Sequence, residues 1–249
     1  ANVQLSLNLP ANDQVIMDDP IYTPGNPYEF DRFDSSTYNR STTTTIYDSL
    51  GNPVTMTSYY IKTQSASIAD PTSRWDVRTF IGDAEVSSDP ATPTPPVPLE
   101  LVFDVNGTMT APLAPVTYAE FTPSSAGAQI VAIDFGAATT QRAGSFAINS
   151  GSQDGYPVGQ LENVTVDAQG LVQASFSNGT TQSLGKVIIA NFSNPSGLKQ
   201  IGNAHWSVTG LSGEPRLGEP GSGGFGTIQA GALERANVDI TEELVDLIA

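Results

Sequence analysis

The sequence contains no cysteine. That excludes a disulfide framework, thiolate metal sites and cysteine nucleophiles. It contains a single histidine, His205, so neither a zinc nor an iron site of the usual kind can be assembled. A Ser-His-Asp triad would have to use that one residue, and no Gly-x-Ser-x-Gly elbow is present. Lysine and arginine together number only 10 against 26 acidic residues, a formal net charge of −16. Phosphate recognition needs clustered cations, so nucleic acid is excluded as a partner, as is an anionic membrane surface. No run approaches the roughly 18 apolar residues of a membrane helix. The first residues alternate like a strand and lack the basic start of a cleavable signal peptide.

What is present is turn and strand chemistry. The 249 residues include 23 glycines and 18 prolines, and charged residues make up only 14%. Such a composition suits many strands joined by turns, in one large or two medium domains. In residues 1–9, Val3, Leu5, Leu7 and Leu9 alternate with polar residues, the pattern of a half-buried strand. Residues 10–37 are rich in Asp, Pro, Asn and Tyr and read as irregular. Residues 38–63 read as a hairpin, with arms 42–47 and 54–62, a turn at 48–53, and Pro53 ending the pairing. Further strands are expected at 75–81, 99–103, 115–122 and 129–135. Residues 87–98 read as an extended, exposed Pro-rich connector.

A Gly-, Ser- and Thr-rich stretch, 136–158, is the best candidate for a domain boundary. The expected organisation is an outer β domain over 1–145, a linker over 146–158, and a second β unit over 159–249. Both domains are expected to be sandwich- or barrel-like. Beyond the linker, strands are expected at 163–166 and 171–176, with a type I′ turn at Asn178-Gly179 and a buried strand at 184–192. The motif Asp-x-x-Gly recurs at Asp48, Asp104 and Asp167 with uneven spacing, which makes it shared turn chemistry rather than a repeat. At the C-terminus, Asp239 and Glu242 form a capping-box pattern. Ile240, Leu244, Leu247 and Ile248 then fall on one face of a short helix.

No residue stands out as catalytic, cofactor-binding or metal-ligating. His205 beside Trp206 suits a packed or surface position. Asp13, Asp18, Asp19, Asp31 and Asp34 are scattered about a loop without EF-hand spacing. Gly221-Ser-Gly-Gly-Phe-Gly226 lacks the Gly-Lys-Ser/Thr ending of a phosphate loop. The sequons at Asn39, Asn106, Asn163, Asn178 and Asn191 are expected in a chain this rich in Ser and Thr. Two readings remain for an acidic all-β chain with 26 carboxylates: a carbohydrate-active or carbohydrate-binding module, or an extracellular adhesin or fibre module.

Several C-terminal segments, taken in order, resemble the bacterial flagellar hook protein family. They are Asp154-Gly-Tyr-Pro-Val-Gly-Gln-Leu161, Phe176-Ser-Asn-Gly179, Leu184-Gly-Lys-Val-Ile-Ile-Ala-Asn-Phe-Ser-Asn-Pro-Ser-Gly-Leu198, Gly202-Asn-Ala-His-Trp206, Ser212-Gly-Glu-Pro215 and Gly231-Ala-Leu-Glu-Arg-Ala-Asn-Val-Asp239. Tyr47-Asp-Ser-Leu-Gly-Asn52 resembles a turn in that family's second domain, and residues 1–9 resemble its opening strand. Distal-rod proteins share the C-terminal signature, but the hairpin-rich region 1–150 favours the hook. The resemblance implies a non-enzymatic structural subunit without cofactors. It implies partners that are other copies in a helical tube, with the hook cap, the distal rod and the hook–filament junction proteins. It further implies export to the cell exterior without a cleavable signal. It also implies that this chain lacks the terminal polymerising helices and the N-terminal half of the inner domain. It should then be monomeric on its own, with 136–158 carrying a hinge.

Overall fold

The first strand, β1 (Asn2–Pro10), buries Val3, Leu5, Leu7 and Leu9, the set its alternation selects. In the computed structural model, which describes residues 1–123, 126–203 and 205–232, the chain divides into two compact units, Ala1–Val158 and Gly159–Ala249. The first unit also contains β2 (Arg40–Tyr47), β3 (Pro53–Gln64), β4 (Ser73–Ile81), β5 (Ala84–Val86), β6 (Leu99–Phe103), β7 (Met109–Ala111), β8 (Val116–Thr117), β9 (Ala132–Asp134), β10 (Thr140–Arg142) and β11 (Ala147–Gln153).

These strands form two sheets. A six-stranded antiparallel sheet has the order β2-β3-β4-β6-β7, with β5 folded back on β4. A five-stranded sheet is built around β1, which pairs in parallel with β9 and β10 and antiparallel with β11. One hydrophobic cluster joins both sheets. It contains Leu5, Leu7 and Leu9 from β1, Ile133 from β9, and Ile46, Met56, Tyr60, Trp75, Leu101 and Phe103 from the six-stranded sheet. A shared core between two sheets is the sandwich architecture.

Several expectations change in detail. Pro53 does not end the pairing; it opens β3 opposite Tyr47. Asp48 donates its amide to the Asn52 carbonyl, so the hydrogen-bonded pairs of this ladder fall on even residues, and the missing N–H of Pro53 faces away from β2. The Pro-rich segment is not simply extended. The buried Ser87 Oγ donates to the Thr92 carbonyl and accepts the amides of Asp89 and Val97, closing the segment on itself. The stretch 146–158, expected as a linker, contains β11, which pairs with β1 from Val3 to Asn8. Its Ser, Asn and Gly residues carry no apolar alternation. The backbone ladder holds it, which is why its sequence does not announce a strand.

The second unit contains β12 (Leu161–Val166), β13 (Leu171–Phe176), β14 (Thr181–Lys186), β15 (Ile189–Asn191), β16 (Lys199–Gly202), β17 (His205–Ser207) and β18 (Arg216–Gly218). They form a β12-β13-β14 meander and two separate two-stranded ribbons, β15-β18 and β16-β17. Among its described residues only Gly170, Ala174, Ser212 and Pro220 are buried. The expected buried strand at 184–192 is broken between β14 and β15, and Leu184, Val187 and Ile188 are exposed. The expected C-terminal helix from Asp239 lies outside the described residues.

The Asn178-Gly179 turn is also different from expectation. A type I′ turn needs positive φ at both central residues, but only Gly179 has it, at +79°; Asn178 is not among the positive-φ residues. Phe176 donates its amide to Thr180, and Gly179 to Phe176. This is a type I turn followed by a left-handed glycine bulge.

Candidate interaction surfaces

The three Asp-x-x-Gly motifs fold identically. In each, the Asp Oδ1 accepts two backbone amides: Leu50 and Asn52 at Asp48, Asn106 and Thr108 at Asp104, Gln169 and Leu171 at Asp167, all within 2.8–2.9 Å. Gly51, Gly107 and Gly170 take φ of +78°, +74° and +80°, and each donates its amide to the Asp carbonyl. A carboxylate that accepts local amides mimics a backbone turn. The Thr108 amide, with help from Asn106, holds the Asp104 carboxyl below the usual range.

Four of the five scattered loop acids are likewise committed to structural contacts. Asp13 makes a two-pronged ion pair with Arg40, at 2.8 and 2.9 Å. Asp19, Asp31 and Asp34 accept the amides of Ile21, Phe33 and Ser36. Among the described residues no group of three or more His, Asp or Glu is placed to hold a metal ion. His205 sits exposed on β17, its Nδ1 2.7 Å from the carbonyl oxygen of Asn203.

One surface feature was not legible in the sequence. On the outer side of the β2-β3-β4 sheet, Phe30 and Tyr38 from the irregular loop meet Tyr59 and Phe80 from the strands. Ring centroids lie 4.8–6.4 Å apart, mostly tilted or edge-on. Such pairs add stabilisation beyond area burial. Arg78 lies 5.1 Å from the Phe30 ring centroid and pairs with Glu85. Burial pushes the nearby Tyr28 hydroxyl up to about 12, with Arg78 opposing the shift, and that hydroxyl donates to the Thr37 carbonyl. The aromatic rings are therefore committed to one another and to the loop. The only sequence signal was the aromatic content of 22–38, which has no periodicity.

Lys62 is the one buried lysine among the described residues. Its Nζ donates to the carbonyls of Ala11 and Asp13, at 2.7 and 2.8 Å, and lies 5.9 Å from the Trp75 ring centroid. Burial holds its pKa below the ordinary value, and the contacts fasten the loop after β1 to β3.

Together these observations define a mainly β protein of several sheets, whose polar side chains are spent on turns, loop anchors and ion pairs. Residues 8–156 match the family described as the flagellar basal body protein FlaE D2 domain. Over its whole length the chain is 34% identical to the flagellar hook protein FlgE of Salmonella typhimurium and covers 56% of it. It is 33% identical to the Escherichia coli protein of the same name, again covering 56% of it. The chain belongs to the flagellar hook protein family. It spans little more than half the length of these two relatives. The solved flagellar hook protein FlgE2 of Helicobacter pylori is 25% identical, covering 72% of this chain and 39% of that one, with a TM-score of 0.45.

Proposed function

We propose that the chain is part of a structural subunit of the bacterial flagellar hook, the flexible tubular joint that passes torque from motor to filament. The carrying observation is the family match over 8–156 together with whole-chain similarity to proteins named flagellar hook protein. The carbohydrate-module and adhesin readings have no comparable support.

In this reading the first unit is the outer domain and the second is half of an inner domain. Two observations support it. Asn2 and Asp154, at opposite ends of the first unit, are joined by bonds of 2.7 and 2.6 Å, so the chain enters and leaves that unit side by side. The second unit exposes Leu161, Val164, Leu184, Ile188, Ile201, Trp206 and Leu217, more apolar surface than a finished domain leaves uncovered. The N-terminal part of the longer protein would supply the missing strands. The partners are then other copies in a helical tube, capped and joined by the hook cap, distal rod and hook–filament junction proteins. The subunit is no enzyme, and it reaches the cell exterior without a cleavable signal.

Deleting the gene tests this. The expected result is basal bodies that carry rods but no hooks, and cells that do not swim. Intact hooks in the deletion strain would overturn the proposal. The chain of 249 residues is expected to scatter light as a monomer at micromolar concentration.

A further inference from the structure

The six-stranded sheet ends at β2, an edge that carries the charged Arg40 at its start and has residues 155–158 near its Tyr47 end, but is bare between them. Among the described residues β2 pairs only with β3. Its even residues face β3, as the Asp48–Asn52 bond fixes, so the amides and carbonyls of Ser41, Thr43 and Thr45 point outward. No partner for these backbone groups exists among the described residues. All three residues are exposed. Edge strands are ordinarily blunted by charge, proline, a bulge or a covering loop. β2 has neither proline nor charge between Ser41 and Tyr47, its ladder with β3 is free of register shifts, and it is rich in β-branched threonine, which favours pairing.

The occupant follows from charge and symmetry. A chain of net charge −16 repels its own copies, so two copies approach best where carboxylates are absent. The segment Ser41–Tyr47 is such a place, and its outward groups are self-complementary under a two-fold axis. We propose that β2 pairs antiparallel with β2 of a second copy, with Thr43 opposite Thr43 and Ser41 opposite Thr45. Each of these residues then exchanges both backbone bonds with its opposite number. The contact is small, so the dimer forms in the high-micromolar to millimolar range and the chain remains monomeric at micromolar concentration.

The absence of cysteine makes the test clean. Opposed hydrogen-bonded residues have Cα atoms about 5.5 Å apart, within the roughly 4.4–6.8 Å that a disulfide spans. Thr43→Cys in the whole chain is therefore expected to give a disulfide-linked dimer on mild oxidation near 0.5 mM, a concentration in the weak-affinity range. Thr55→Cys, exposed on β3 away from the edge, should cross-link at least tenfold less. Sedimentation of the unmodified chain should shift toward dimer over the same range. Thr43→Pro removes only an outward amide, so it should keep the circular dichroism and Tm while abolishing that shift. A concentration-independent monomer up to the millimolar range, equal cross-linking of Thr43→Cys and Thr55→Cys, or a dimer unchanged in Thr43→Pro would each overturn the proposal.

Discussion

The Gln141 amide donates to the Gly107 carbonyl at 2.8 Å, and a β-carbon on Gly107 would lie 1.9 Å from the Gln141 carbonyl oxygen. Gly107 closes the turn between β6 and β7, and Gln141 lies on β10 of the other sheet, so this contact ties the two sheets together backbone to backbone. Gly107 has two reasons to be glycine, its φ of +74° and this approach. Gly82, in the β4–β5 turn, has only the first: its φ is +60°, and a β-carbon there would meet nothing within 4 Å. Gly107→Ala is expected to cost about 3 kcal/mol or more, because strain and displacement add. Gly82→Ala should cost about 1 kcal/mol. Urea unfolding of the two variants measures the difference, and equal costs would refute the close-approach account.

The Asp-x-x-Gly turns carry a second prediction. Asp48 is buried, and its carboxylate accepts the amides of Leu50 and Asn52 and the Asn52 side chain. Asp48→Ala should cost about 2 kcal/mol, as expected for amides left without a charged acceptor. Asp48→Asn keeps an oxygen in place and should cost about half as much. Thermal melts of the pair would decide; a neutral Asp48→Ala variant contradicts the role assigned to the carboxylate.

Alkaline pH is predicted to unfold the first unit. Burial raises Tyr28 and Tyr118 from 10.0 to about 12, and raises the fully buried Tyr60 further. The folded state disfavours the tyrosinate form, so this contribution to stability is complete below pH 10. It is lost as pH rises toward 12. Lys62 acts in the opposite sense. Its depressed pKa means that losing its proton relieves a cost of folding, and this offsets part of the tyrosine effect. Ultraviolet titration should show these tyrosines ionising together with unfolding. Full ionisation near pH 10 with the fold retained would count against their burial.

Much of the first unit was legible in the sequence. The alternation in residues 1–9 selected β1 and its buried set, and the β-branched and aromatic runs located β2, β3, β4 and β6. Three Asp-x-x-Gly turns were visible because side-chain and glycine chemistry act within five residues. The remainder was hidden for physical reasons. β11 is held by backbone bonds to a strand about 145 residues away, which its own polar composition does not encode. The aromatic cluster joins residues from a loop and two strands. The Leu184–Phe192 run looked buried because it is apolar, yet burial depends on what covers it. Leu184 and Ile188 are more than half exposed, with little cover from the described residues.

Exposed Leu184, Ile188, Ile201 and Trp206 should bind a hydrophobic dye such as ANS strongly in the chain of 249 residues. A version extended at its N-terminus to the length of the relatives, as the proposed half domain requires, should bind several-fold less. The fluorescence of Trp206 should also shift to the blue in the extended version. Equal dye binding by both would contradict the half-domain assignment.

The most direct test of the hook assignment is to locate the protein on the cell. Gold-labelled antibody raised against residues 1–158 would be imaged on flagellated cells by electron microscopy. The account predicts gold confined to the short curved segment between cell body and filament, lost in the deletion strain. Label along the filament, or none on the flagellum, would contradict it.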